Sequence, residues 1–207
     1  MIKAIFFDLD GVLIDAVQLH YLSLNKSFKQ ICNFELTYNE HFKELNGLPT
    51  KKKLDRLTQD GRVDIKDHKK IFDLKQHYTI ETIKETINLD YTKIELHKYI
   101  KSLELKSACI TNSIRETCVL MLQRSGQFEY LDFVISNQDI QYAKPNSEGY
   151  ITAMVRMNVY PSECIIVEDS DHGYESAKNT GAYVWRVSDP EKVNLENFKK
   201  FKKGLSC

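Results

Sequence analysis

Short apolar runs alternate along this chain with longer stretches of helical periodicity. Five runs read as strands: Ile2 to Phe7, Ala108 to Thr111, Phe133 to Ser136, Cys164 to Val167 and Ala182 to Val187. They lack the apolar-polar alternation of a sheet wetted on one face, and helical patterns lie between them. Runs of this kind predict strands covered on both faces, hence a parallel sheet in a doubly wound α/β fold. The spacing is uneven. About 100 residues separate the first run from the second, whereas a strand-helix-strand unit needs only about 30. The surplus is helical, with Val17, Tyr21, Leu24, Phe28 and Ile31 at alternating steps of four and three, and Ile71, Leu74 and Tyr78 at three and four. This pattern predicts a small helical domain over residues 16–90, inserted into an α/β core formed by residues 1–15 and 91–207. Linkers are expected just after Asp15 and near Asn88 to Lys93, where a hinge would let the insertion open and close over the ends of the core strands.

Composition narrows the classes. With 207 residues, 42% hydrophobic and 28% charged, the chain can bury a substantial core, which excludes collagen, disorder and a disulfide-stapled miniprotein. Twenty-nine basic residues balance twenty-nine acidic ones, so no global field draws the chain to nucleic acid or to an anionic membrane, and any anion must be caught locally. No apolar run reaches the roughly 18 residues of a membrane span, and Met1-Ile2-Lys3-Ala4 leads straight into a strand. A cytoplasmic protein with neither nucleic-acid nor membrane partners is expected. The five cysteines (Cys32, Cys109, Cys118, Cys164, Cys207) are odd in number and lack C-x-x-C spacing, which fits buried thiols better than a zinc site or a disulfide frame. From Pro190 onward, Lys192, Lys199, Lys200, Lys202 and Lys203 interleave with Phe198, Phe201 and Leu205, the pattern of an amphipathic closing helix with solvated lysines.

The chemistry gathers after the strands. In an open parallel sheet, ligands bind at the carboxyl ends of the strands. There the chain carries Asp8-Leu9-Asp10-Gly11, then Thr111-Asn112-Ser113, then Lys144-Pro145, then Glu168-Asp169-Ser170-Asp171. Carboxylates brought this close repel one another unless a cation or a proton intervenes. Hard oxygen ligands together with a substrate phosphate favour Mg²⁺, and the six histidines offer no H-E-x-x-H pair that would argue for zinc. Asp8 and Asp10 flank a single residue and leave the strand end on the same face. One carboxylate there can attack phosphorus while the other protonates the leaving oxygen and then activates water. Lys144 would balance charge on the nucleophile and the phosphate. Thr111 and Asn112, with backbone N–H groups at a helix start, would hold phosphoryl oxygens.

Taken together, DLDGVLID at 8–15, TNS at 111–113, KP at 144–145 and EDSDHG at 168–173 resemble the four ordered motifs of the haloacid dehalogenase-like hydrolases. The insertion resembles the small helical cap of the subgroup that includes β-phosphoglucomutase and phosphoglycolate phosphatase. The resemblance implies that Asp8 is the nucleophile and forms an aspartyl-phosphate, and that Asp10 is the general acid/base. It implies that Asp8, the backbone carbonyl of Asp10 and Asp169 hold Mg²⁺, with Glu168 in the outer shell and Gly173 starting the helix behind it. His20 stands where the mutase also has a histidine, either near the substrate or simply packed on its helix. Thr50, three residues after Gly47, replaces the phosphate-gripping arginine of the mutase cap, which favours hydrolysis. Lys51, Lys52 or Arg56 would select an acidic group or else form a solvated helix face, and Ala16 stands where a hydroxyl residue is usual. The expectation is a Mg²⁺-dependent phosphatase of a small phosphorylated metabolite, a sugar phosphate or a surface-polysaccharide precursor among the candidates, monomeric or weakly homodimeric. A phosphosugar mutase and a non-catalytic phosphate-binding or interaction module remain the alternatives.

Overall fold

The computed structural model describes residues 1–45 and 48–205; Gly47 and Cys207, singled out above, lie outside the described residues. The chain divides into two compact units, Met1–Asp15 with Asn88–Cys207, and Ala16–Ile87.

The first unit is built on a five-stranded sheet: β1 (Ala4–Phe7), β2 (Lys106–Ile110), β3 (Phe133–Ile135), β4 (Cys164–Glu168) and β5 (Tyr183–Arg186). The strand order is β3-β2-β1-β4-β5, and every pairing is parallel. This is the doubly wound α/β architecture that the apolar runs imply. β1, β2 and β4 are buried on both faces apart from the exposed Lys106 at the start of β2, and apolar apart from Lys106 and the buried Ser107 and Glu168, because helices cover both sides. On one face Phe6, Ile110, Ile135 and Ile166 pack with Tyr150, Met154 and Met157 of the helix Glu148–Met157. Register then sets the site: Phe7 lies opposite both Cys109 and Val167, so Asp8, Ile110 and Glu168 emerge side by side at one sheet end.

Several boundaries differ from the sequence reading for local reasons. Thr111 falls just beyond β2 although its N–H still donates to the Ile135 carbonyl at 2.9 Å. The expected second linker ends early: Asp90 caps a helix over Tyr91–Ser102 by accepting from the Lys93 N–H, and Lys93 is buried with its Nζ on the Pro190 carbonyl at 2.6 Å. The closing helix forms over Leu195–Gly204 and buries Phe198. One of its lysines is not simply solvated, since Lys199 Nζ sits over the Tyr99 ring, 4.7 Å from its centroid.

The second unit contains helices Val17–Cys32, Thr50–Gln59 and His68–Thr86, around a centre of Leu24, Phe28, Leu36, Leu45, Leu54, Leu57, Val63 and Ile71. Of the stripe read from the sequence on the first helix, only Leu24 and Phe28 are fully buried; Leu19, Ser23 and Ser27 share that face. Both serines give their hydroxyl hydrogens to carbonyls four residues back, at 2.8 Å each, so they enter an apolar interior at little cost. Cys109, Cys118 and Cys164 are buried thiols, whereas Cys32 is half-buried. No described helix is long and apolar enough to cross a membrane.

Candidate active site

Asp8 follows β1 directly, its N–H donating to the Val167 carbonyl at 3.0 Å. The chain then curls tightly. The Leu9 carbonyl accepts from Leu13 and Ile14 N–H, both at 2.9 Å, and Gly11 N–H donates to the Ile14 carbonyl at 2.8 Å. Gly11 has φ of +85°, and a Cβ there would stand 2.1 Å from Asp169 Oδ2. Both the left-handed backbone and the carboxylate against it require glycine. Asp10, two residues after Asp8, accepts from Ser113 Oγ through Oδ2 at 2.7 Å. The two acids therefore occupy different environments: Asp8 is buried in the charge cluster, while Asp10 is half-buried and held by a hydroxyl.

Lys144 reaches in from the loop after β3. Its ammonium donates to Asp8 Oδ1 at 2.7 Å, Glu168 Oε1 at 2.6 Å and the Ile110 carbonyl at 2.8 Å, which uses all three of its hydrogens. Tyr150 donates its hydroxyl to the same Glu168 Oε1 at 2.5 Å, and the Lys144 ammonium lies 4.8 Å from the Tyr150 ring centroid. Glu168 is clamped from behind as well, since a Cβ on Gly173 would lie 2.0 Å from Glu168 Oε2.

Asn112 supports this arrangement. Its side chain accepts from Lys144 N–H at 3.0 Å and donates to the Lys144 carbonyl at 3.3 Å, so its amide fixes the lysine loop. Thr111 is buried, and its hydroxyl oxygen accepts from Ser113 N–H at 3.0 Å, leaving its hydrogen to donate. His20 belongs to the helical unit, with Nδ1 3.3 Å from Lys75 Nζ. In the same unit His41 Nε2 lies 3.4 Å from Lys53 Nζ, and both side chains are buried. Lys51 and Lys52 are exposed, and Arg56 pairs with Glu44.

Electrostatics separate these groups. Burial raises Asp8 well above the usual carboxylate range; Lys144 opposes this, and the charges of Glu168, Asp169 and Asp10 add to it. Asp169 is pushed up to about 7, by burial first and then by Glu168. Burial alone would lower Lys144, but Asp8 and Glu168 outweigh it and raise the ammonium above its ordinary value. Burial lowers His41 to about 3, with Lys53, His20 and Lys75 adding to the effect.

A divalent cation fits the acid cluster. Asp8, Glu168 and Asp169 each offer a carboxylate oxygen, all within 4.8 Å of one another. Glu168 Oε2 and Asp169 Oδ1 are buried without a hydrogen-bond partner. Buried carboxylate oxygens in that state are stabilised by a hard cation. Asp10 contributes no carboxylate to this group; its side chain is turned to Ser113.

Sequence reasoning passed over two contributors to the strand-end site. Ser113 lay in plain view within the second motif, but nothing in the pattern tied its hydroxyl to Asp10. Tyr150 carried no signal, because it reads as an ordinary position on a helix.

Comparison with known proteins agrees with this geometry. The model of a family described as haloacid dehalogenase-like hydrolase matches residues 5–187. A phosphorylated carbohydrates phosphatase from Thermotoga maritima is 26% identical over 182 residues, covering 86% of this chain and 82% of the relative. A fructose-1-phosphate phosphatase from Escherichia coli is 23% identical over 182 residues, covering 86% and 92%. The crystal structure of a β-phosphoglucomutase from Clostridium difficile superimposes with a TM-score of 0.84 over 100% of both chains at 20% identity, a likeness of fold. With its acids, lysine and hydroxyls at the strand ends and a family match across most of its length, the chain belongs to the haloacid dehalogenase-like hydrolases.

Proposed function

We propose that this protein is a Mg²⁺-dependent phosphatase that hydrolyses a small phosphate monoester through an aspartyl-phosphate on Asp8. One observation carries the reading. Two carboxylates a single residue apart are held differently, Asp8 by the Lys144 ammonium and Asp10 by the Ser113 hydroxyl, so the nucleophile and the proton carrier are distinct.

In this reading Asp8 attacks phosphorus with Oδ2 while Lys144 holds Oδ1. The phosphorus–oxygen bond of the ester breaks, and Asp10 gives its proton to the departing alkoxide. Asp10, now a carboxylate, takes a proton from water as that water attacks the phosphorus of the aspartyl-phosphate, releasing inorganic phosphate and restoring Asp8. The Thr111 hydroxyl would orient a phosphoryl oxygen, and the Lys144 ammonium, its three hydrogens already given to Asp8, Glu168 and the Ile110 carbonyl, would contribute positive charge. Asp8, Asp169 and the Asp10 carbonyl are the residues to hold Mg²⁺. The ion supplies positive charge that keeps the carboxylates ionised and polarises the phosphoryl group. Asn112 acts indirectly, by fixing the loop that presents Lys144.

The names of the Thermotoga and Escherichia relatives support a phosphorylated carbohydrate as substrate. The helical unit, His20 included, is the part of the chain that would select among such esters. Thr50 in place of a phosphate-gripping arginine favours hydrolysis over phosphoryl transfer between two positions of a sugar. The test is phosphate release from a panel of sugar, glycolate and amino-alcohol phosphates, with Mg²⁺ or EDTA. Release that needs Mg²⁺ and disappears in Asp8→Asn is the expected result. Isomerisation of a hexose phosphate without release would select the mutase reading, and silence in both assays would leave a binding module.

A further inference from the structure

A fully buried amide sits behind the motif loop, where an apolar side chain would fill the same space without desolvating polar atoms. Gln127 follows a turn at Gly126, which has φ of +73°, after the helix Arg115–Arg124. Its Nε2 donates to the Leu13 carbonyl at 3.1 Å and to Ser125 Oγ at 2.9 Å. Its Oε1 faces His97 Nε2 at 3.1 Å. Ser125, His97 and Leu13 are buried as well.

The orientation of the amide is fixed by counting hydrogens. Ser125 Oγ gives its single hydrogen to the Leu122 carbonyl, at 3.2 Å, so toward Gln127 it can only accept. The Gln127 nitrogen must therefore face Ser125 and Leu13, and its oxygen must face His97, whose Nε2 then carries the hydrogen. His97 is the neutral tautomer with a bare Nδ1, and that atom has no partner. Its ring is held edge-on to Phe7, with centroids 5.4 Å apart, and stacked on Tyr130 at 5.8 Å. Burial lowers its pKa to about 4, so it stays neutral near pH 7.

The other end of the chain of contacts is Asp10. Leu13 lies in the curl after β1, and its neighbour Ile14 forms a β-bridge with Asp10. A displaced Leu13 peptide therefore carries Ile14, and with it the backbone of Asp10. We infer that Gln127, oriented by Ser125 and His97, is a positioning residue for Asp10, acting through the carbonyl of Leu13. This rests on the reading of Asp10 as the group that protonates the leaving oxygen. Without the amide donor the buried Leu13 carbonyl has lost its side-chain partner, and the curl relaxes toward water or toward another donor.

The test exploits leaving groups. A 4-nitrophenyl ester departs without a proton, whereas the alkoxide of a sugar phosphate needs one. Misplacing Asp10 therefore lowers kcat/KM for the sugar phosphate and spares the aryl ester in the phosphorylation step. Gln127→Met is expected to lower the ratio of the two kcat/KM values by about tenfold, a part of the full general-acid contribution. His97→Phe keeps the ring contacts and removes only the donor that orients the amide, so it should lower the ratio less. It carries the test if Gln127→Met does not fold. A structural role alone would lower both esters in parallel. A parallel fall, or an unchanged ratio in both variants with wild-type activity intact, overturns the inference and leaves the phosphatase reading standing. Wild-type protein that releases phosphate from neither ester removes the reading and the inference together.

Discussion

Two regions of this molecule crowd groups of like charge, and they resolve the crowding in opposite ways. At the strand ends, Asp8, Glu168 and Asp169 converge around Lys144, which is itself saturated by three acceptors. In the helical unit, His20 meets Lys75 and His41 meets Lys53, and His41 feels the charge of the other three. The base cluster settles by surrendering a proton, since His41 drops to about 3 and is neutral at any ordinary pH. The acid cluster cannot settle so simply. It carries an internal cation, yet two of its buried oxygens have no partner and Asp169 rises to about 7. Buried carboxylate oxygens crowded by like charge and without partners are a place for a cation, whereas an imidazole that has shed its proton leaves no charge to be met.

Removing the internal cation should produce the largest effect. Lys144→Met leaves Asp8 and Glu168 buried against each other with only Tyr150 still donating to Glu168. Breaking a buried ion pair from one side costs about 3–5 kcal/mol, read as a loss of that size in urea denaturation together with loss of turnover. A cost under about 1 kcal/mol would mean that the carboxylates relax by taking up protons, and that Lys144 does not organise the site.

Adding the external cation should act in the other direction and somewhat more weakly. Free Mg²⁺ at a hundredfold excess over its dissociation constant stabilises the folded chain by about 2.7 kcal/mol, visible as a rise in melting temperature. Asp169→Asn removes a charged oxygen from the cluster and should abolish most of that rise while leaving the fold intact. An equal rise in the variant would show that Mg²⁺ binds elsewhere.

The contrast also explains what could be read in advance. The acid cluster was legible because a parallel sheet converts sequence order into spatial order: residues just after separate apolar runs must meet at one edge, and Asp8, Thr111, Lys144 and Asp169 do. The base cluster was not legible. It depends on which way helical side chains turn, and Lys53 is buried between exposed Lys52 and Asp55, with Leu54 beside it, in a run of three lysines that looks uniformly solvated. Gln127 was hidden for a related reason: its partners Leu13 and His97 lie 114 and 30 residues away, and no local pattern links them. Ser23 and Ser27 blurred the helical stripe because back-bonded hydroxyls pass as apolar positions.

The histidine gives the base cluster a pH signature. His41 has a folded value near 3 against an ordinary 6.5, so between those values the unfolded chain takes up a proton that the folded chain refuses. Stability is therefore fully present above about pH 6.5 and declines as the pH falls toward 3. His41→Phe should flatten that decline, by about 1–3 kcal/mol across the window, measured as urea midpoints at successive pH values. An unchanged slope would assign the acid sensitivity to other groups, the buried His97 first among them.

The smallest effect separates the two causes acting on His41. Burial is the larger, and Lys53 is the foremost of the charges. Lys53→Met keeps most of the volume, removes the charge 3.4 Å from Nε2, and leaves the desolvation in place. His41 should then titrate higher by about one pH unit, followed by NMR of its ring. A return to 6.5 would mean that charge, not burial, keeps the ring neutral, and the cluster would then be held in tension by its lysines. No movement would mean that burial alone decides, and that the lysine beside the ring is a bystander to its protonation.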